Sequence, residues 1–159
     1  MEHKTKTKFT VDRDALEVRM ERVFDAPREL VYRVVTDPNL VGQWWGPGYL
    51  TTEVESYEVE PGGAWRFIQR DPDGSEYAFR GTFREVIPPE RLVYTFIYEG
   101  TPDHEIIETI TLQEIDGKTL MTAFDRFASA EALDGMVSSG MESGAVESWD
   151  RLARLVEKQ

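Results

Sequence analysis

The stretch that decides the fold runs from Ser129 to Gln159, SAEALDGMVSSGMESGAVESWDRLARLVEKQ. Its apolar residues, among them Leu133, Met136, Val137, Met141, Ala145, Leu152, Leu155 and Val156, recur at the spacing of one helical face. The pattern predicts one long C-terminal helix. Gly140, Gly144 and Ser148 stack along it at four-residue intervals, although a glycine inside a helix costs about 1 kcal/mol relative to alanine. Two reasons for them stay open at this point. Either the helix axis runs close to its neighbour, or the missing side chains leave room for a ligand beneath it.

Working outward, Tyr49 to Asp125 is punctuated by turns. Strands are predicted at Tyr49–Val59, Ala64–Arg70, Glu76–Ile87, Leu92–Tyr98, Glu105–Ile115 and Lys118–Phe124. Asp71-Pro72-Asp73-Gly74 and Asp116-Gly117 carry the turn chemistry between them. Short turns make this an antiparallel meander, and Leu16–Phe24, with Leu16, Val18 and Met20 alternating against Glu17, Arg19 and Glu21, adds a seventh strand. Asp25-Ala26-Pro27 and Glu29 start a short helix with a buried stripe of Leu30, Val31, Val34 and Val35. Thr36-Asp37-Pro38 ends it and opens a second, which reaches Trp44-Trp45 and breaks at Gly46-Pro47-Gly48. The class is α+β, a seven-stranded curved antiparallel sheet around the terminal helix, with two short helices after the first strand. Residues 1–159 read as a single domain whose polar, basic start, residues 1–8, is a disordered tail.

Three neighbouring strands carry aromatics in alternation: Trp65 and Phe67; Tyr77, Phe79 and Phe83; Tyr94, Phe96 and Tyr98. Successive side chains point to opposite faces, so each set shares one side of the sheet. One helix laid on a twisted seven-stranded sheet leaves a concave space that large side chains fill or that stays open as a cavity. Gly81, in phase with Phe79 and Phe83, marks a bend or a close approach.

The chain has no cysteine, which removes disulfides, thiolate nucleophiles and cysteine-bearing zinc sites. Lys plus Arg number 18 against 30 Asp plus Glu, a net charge of -12 that repels a nucleic-acid backbone. No apolar run is long enough for a bilayer span, and Met1 to Lys8 reads as polar and basic rather than as a charged start followed by an apolar core, so a cytoplasmic protein without membrane insertion is expected. Of two histidines, His3 lies in the tail and His104 in a loop, which leaves one base at most for a Ser-His-Asp arrangement. No catalytic residue, metal site or cofactor is assigned. Glu108, in phase with Ile110 and Leu112, and the strand residues Arg66, Arg80 and Arg84 read as a solvated sheet face. Acid/base chemistry by a buried Asp, Glu or Tyr in an apolar cavity stays open as an alternative.

A series of motifs carries a family resemblance: Phe24-Asp25-Ala26-Pro27, Thr36-Asp37-Pro38, Trp44-Trp45-Gly46-Pro47, Pro61-Gly62-Gly63 before Trp65-Arg66-Phe67, Gly81-Thr82-Phe83, Pro88-Pro89-Glu90-Arg91-Leu92, and Gly140-Met141-Glu142-Ser143-Gly144 with Arg151-Leu152. From about Leu16 onward the chain resembles the bacterial branch related to the C-terminal domain of the activator of Hsp90 ATPase, within the START-like, Bet v 1-like superfamily. The resemblance implies a helix-grip fold that often encloses a hydrophobic cavity, and relatives that include polyketide cyclases and lipid carriers. It places Trp44 and Trp45 at the mouth of that cavity, either as ligand contacts or as a plug. The expectation is a binding module for a small hydrophobic or amphipathic molecule, lined by Trp44, Trp45, the strand aromatics Trp65 to Phe96, and Met136, Gly140, Met141 and Gly144. A cyclase-like enzyme, a chaperone partner and a homodimer remain as alternatives.

Overall fold

Alternating side chains build a single sheet, and the helices close over one of its faces. The computed structural model describes residues 7–157. Its elements are β1 (Lys8–Asp12), β2 (Glu17–Phe24), α1 (Arg28–Thr36), β3 (Thr51–Tyr57), β4 (Ala64–Arg70), β5 (Glu76–Ile87), β6 (Arg91–Tyr98), β7 (Ile106–Ile115), β8 (Lys118–Arg126), α2 (Ala130–Ser138) and α3 (Met141–Val156). The strands lie in the order β1-β2-β8-β7-β6-β5-β4-β3, every neighbouring pair antiparallel. Register shifts at Val54/Ser56 and Phe83/Glu85 mark bulges that bend β3 and β5. The predicted meander and the α+β class are what the structure shows, with three differences.

First, the sheet has eight strands. β1 occupies part of the expected tail: Phe9 and Val11 pair with Met20 and Val18, and Thr7 is buried. Two apolar positions in five residues are too short a pattern to stand out beside a polar start. The turn into β2 also lacks a glycine signal, since Leu16 itself takes φ 56. Residues 1–6 lie outside the described residues.

Second, the terminal stretch is two helices. Gly140 has φ 91, the left-handed conformation that closes a helix, and its N–H reaches the Val137 carbonyl while the Ser139 N–H reaches Met136. A β-carbon on Gly140 would meet nothing within 4 Å. Backbone geometry therefore explains this glycine, rather than close packing. Ser129 caps α2 by accepting from the Ala132 N–H. The last predicted helical residues, 158–159, lie outside the described residues.

Third, the second short helix shrinks to one 3-10 turn, Val41–Gln43. At Gly42 a β-carbon would lie 3.3 Å from the Thr52 carbonyl oxygen and the Val54 side chain, so the segment is pressed against β3 before a full helical turn can develop.

Opposite faces of the sheet serve opposite purposes. On the outer face Arg66 lies between Glu55 and Glu99, and Arg70 between Glu53 and Glu76. Arg66, Arg80 and Arg84 sit there as the sequence predicts, and such half-exposed pairs contribute little stability. The inner face holds the main core, in which Phe24, Phe67, Leu92, Met121 and Leu152 are almost wholly buried. Packed side chains of this size carry most of the hydrophobic stabilisation. The ring of Trp149 on α3 lies 5.9 Å from that of Phe24.

Gly81 has a specific task in this face. It pairs with Trp65, and the Trp65 indole passes over it to donate to the Thr95 carbonyl at 3.1 Å on the next strand. The Thr82 N–H turns instead to the Thr95 hydroxyl at 2.8 Å. A β-carbon on Gly81 would lie 1.8 Å from Thr95 O and 2.6 Å from Trp65 Nε1. Gly81→Ala is therefore expected to cost more than about 3 kcal/mol, the range of buried steric conflicts. Urea denaturation checks this, and a variant as stable as the parent would show that the strand gives way freely.

Candidate functional site

The inner face is only partly covered. Between it and α2, α3 and the 44–50 segment lies a chamber of about 840 Å³. All the sequence-predicted site residues border it: Trp44 and Trp45 from the loop, Trp65 and Phe67 from β4, Tyr77, Phe79 and Phe83 from β5, and Tyr94 and Phe96 from β6. The helices contribute Met136, Gly140, Met141 and Gly144. Of the two outcomes weighed for the concave space, the open cavity is the one present.

The two tryptophans do different work. Trp44 is 6 % exposed and belongs to the core, whereas Trp45 projects among the strand aromatics. Its ring centroid lies 5.0 Å from Phe67, 5.2 Å from Phe79 and 6.2 Å from Phe96. Such tilted and edge-on contacts suit aromatic quadrupoles. The backbone that carries both residues is tied to α3. Ser148 Oγ accepts from the Gly46 N–H at 3.1 Å and donates to the Trp44 carbonyl at 2.9 Å. Arg151 donates to the Gly46 and Gln43 carbonyls, each at 2.7 Å. The small-residue stripe thus faces the tryptophan loop. A β-carbon on Gly144 would only touch Pro47 at 4.0 Å, so contact distance does not require that glycine either.

Glu108 corrects the sequence reading. It was expected on the solvated face, but its phase with Ile106 and Ile110 carries it inward, where it borders the chamber. Register explains what surrounds it: Glu108 pairs with Tyr94 on β6 and with Asp125 on β8, and Asp125 pairs with Val18 on β2. Directly opposed residues have β-carbons about 4.5–5.5 Å apart, so Tyr94, Glu108 and Asp125 form one polar row across an aromatic floor. Asp125 Oδ1 is buried with no hydrogen-bond partner. The same alternation, Met121, Ala123, Asp125, was available in the sequence as a signal for Asp125. Tyr57 and Gln69 were also passed over. Tyr57 borders the chamber and donates to the Val35 carbonyl at 2.8 Å, and Gln69 donates to Thr52 Oγ1 and the Trp45 carbonyl. His104, in an exposed loop as expected, reaches the rim.

Burial dominates the electrostatics of this row. It pushes the Glu108 carboxyl above its ordinary value, and neighbouring Tyr94 and Asp125 draw it part of the way back. Burial raises Asp125 well above the usual carboxylate range, and the charges of Glu108 and Glu17 add to the effect. Tyr94 and Tyr57 are held protonated, first by burial and then by the Glu108 charge. Two carboxyls side by side in a desolvated site favour holding one proton between them. Such a pair can accept hydrogen bonds, bind a cation or move a proton. No group of three or more His, Asp or Glu side chains at metal-binding distance occurs among the described residues.

Sheet, helices and chamber together define a helix-grip protein of the α+β class. The chain belongs to the Activator of Hsp90 ATPase homolog 1-like protein family, whose model matches residues 25–157. Among solved structures, a protein from Arthrobacter aurescens is similar with a TM-score of 0.89 at 25% identity, over 96% of this chain and 92% of that one. A Mycobacterium smegmatis protein gives 0.85 at 25% identity, over 94% and 95%. One from Chromobacterium violaceum gives 0.78 at 29% identity, over 89% and 97%. A search of curated proteins found no match. No helix among the described residues is long and apolar enough to cross a membrane.

The raised carboxyls set a direction for stability against pH. Between the ordinary values, 4.5 for Glu108 and 3.8 for Asp125, and their raised ones, the folded chain holds protons that the unfolded chain has released. Their contribution to stability is therefore complete at low pH and is lost as pH rises through that window. Asp125→Asn removes one ionisation. The variant and parent are expected to melt together near pH ~4, with the variant higher by about 3 °C or more above neutrality, since ~1 kcal/mol moves Tm by roughly 2–4 °C at this size. Thermal melts across pH check the difference, and a parent that gains on the variant as pH rises would overturn the assignment.

Proposed function

We propose that the protein binds a small hydrophobic or amphipathic molecule in the chamber between sheet and helices. The observation that carries this reading is the unfilled volume of about 840 Å³ behind an aromatic wall. Interiors normally pack to the density of organic crystals, and an apolar space of this size costs stability unless something occupies it. Clefts of roughly 300–1,000 Å³ with apolar walls and a few convergent polar groups are the general form of small-molecule sites. The thirteen residues expected from the sequence are proposed as the contact surface, Trp45 foremost because its ring stands within the chamber.

A second reading, an acid/base enzyme related in chemistry to the cyclases, draws on one observation. Ionisable side chains, Glu108 and Asp125, face the cavity with raised affinity for protons. Groups so placed can give or take a proton near neutral pH.

Titration with N-phenyl-1-naphthylamine, a dye uncharged at neutral pH, tests the binding reading through its own fluorescence and that of Trp45. Saturable binding at one site is expected. Gly144→Leu should weaken it at least roughly tenfold by filling the roof, while Tm holds or rises because leucine favours the helix over glycine by roughly 0.8 kcal/mol. Absence of saturation in the parent would remove the proposal.

A further inference from the structure

We infer that the chamber takes a cation: an apolar body carrying one protonated amine, which docks between Glu108 and Asp125. The inference rests on the binding reading above and deepens it by naming the head group.

The first ground is an imbalance of charge. Two carboxyl groups stand at the floor and Glu147 at the rim, yet no lysine or arginine occurs among the described lining residues. Arg22 does point inward from β2, but it lies outside the lining and its charge is paired: one guanidinium nitrogen donates to Asp150 at 2.6 Å and the group stacks over Phe24 at 5.1 Å, while its Nε is buried without a partner. Buried charges are normally paired, so the acid pair lacks a partner that the protein itself does not supply. The second ground is Asp125 Oδ1, a buried acceptor that meets no donor beyond the proton the two carboxyls share. An ammonium group has three donors and no acceptor, and it meets here two carboxyls and the Tyr94 hydroxyl. Charge-assisted bonds of this kind are roughly twice as strong as neutral ones. The third ground is the wall. Tyr94 is the cross-strand neighbour of Glu108, and the Trp65 ring lies 6.0 Å from Tyr94 and 5.6 Å from Phe96, so the pair borders a cluster of aromatic rings, the side-chain class whose faces attract a cation.

Other head groups fit less well. A carboxylate would meet the acid pair and the field of a chain whose net charge is -12. A hydroxyl would leave the ionised oxygen without a counter-charge. A bare calcium or magnesium ion needs six or more oxygen ligands, more than two carboxyls and a phenol provide.

Binding of an ammonium group favours the ionised pair and so expels its proton. The titratable groups acting on the pair are Tyr94 on β6, Tyr57 on β3 and, by its charge from the other phase of β2, Glu17. Glu147 on α3 and His104 stand at the rim, and α2 lines the chamber with Ala132, Gly135 and Met136 only. None of these supplies a fixed positive charge at the floor, so affinity for an amine should rise with pH while the pair titrates.

The test compares 4-phenylbutylamine, 4-phenyl-1-butanol and 4-phenylbutyrate, which share one body, by isothermal titration calorimetry at neutral pH. Runs in two buffers of different ionisation enthalpy read proton release. The amine is expected to bind at least roughly tenfold tighter than the alcohol, the acid weakest, with proton release for the amine alone. Glu108→Gln and Asp125→Asn should each lower amine affinity at least roughly tenfold, to about that of the alcohol on the same variant, and abolish the proton release. An alcohol that binds as tightly as the amine, or amine binding without proton release, overturns the head-group assignment while the chamber reading stands. Binding of none of the three with dye still saturating likewise overturns it. Failure of the dye as well removes the chamber reading with it.

Discussion

Four hydrogen bonds between α3 and the backbone of residues 43–46 hold the roof over the sheet, and the rest of the architecture depends on them. Ser148 uses both capacities of its hydroxyl, and Arg151 spends its planar fork on two carbonyls. These carbonyls and the Gly46 N–H belong to an irregular segment with no sheet neighbour to satisfy them. Left unpaired while buried, each such group costs ~1–3 kcal/mol. The same bonds decide where Trp45 points, because its flanking peptides are fixed. The position of α3 and the shape of the chamber are therefore one constraint, imposed by a serine and an arginine three residues apart on one helical face.

The floor follows a different logic. The Trp65 indole crosses Gly81 to reach Thr95, and its length keeps the aromatics of β4, β5 and β6 in a stepped array. Large rings so anchored cannot collapse inward to fill the space that α2 and α3 span. Packing is dense around Phe24, Leu92 and Leu152 and sparse over Tyr94 and Phe96. One end of the sheet carries stability, and the other leaves the chamber unfilled.

Much of this was legible before any coordinates. Strict alternation assigned the aromatic faces of β4, β5 and β6 correctly, because a period of two leaves no freedom once one residue faces the core. Turn chemistry was equally informative: Asp116 and Gly117 adopt the positive φ values that their pairing in sequence suggests. Two residues depart from the sequence reading for opposite reasons. Glu108 reads outward by residue type where its phase turns it inward, and Gly140 reads as helical by period where its left-handed conformation ends the helix. The phase of Glu108 with Ile110 is visible in the sequence, and in the fold it outweighs the preference of a charge for solvent. Gly140 fell on the helical period by coincidence of spacing, and period alone does not distinguish a helix from two helices joined by a left-handed residue. The acidic row could not have been read from either strand, since Glu108 and Asp125 meet only through the β7–β8 register.

On the proposed binding reading, the joint at Gly140 bears on selectivity. A β-carbon there would touch nothing, so the helical rim at the mouth ends in unoccupied space, whereas the floor residues are locked by cross-strand register. A guest of greater length can project past the joint without disturbing what grips its inner end. Discrimination is then strict at one end of a molecule and tolerant at the other, a division suited to handling a series of homologues that differ in tail but share a head.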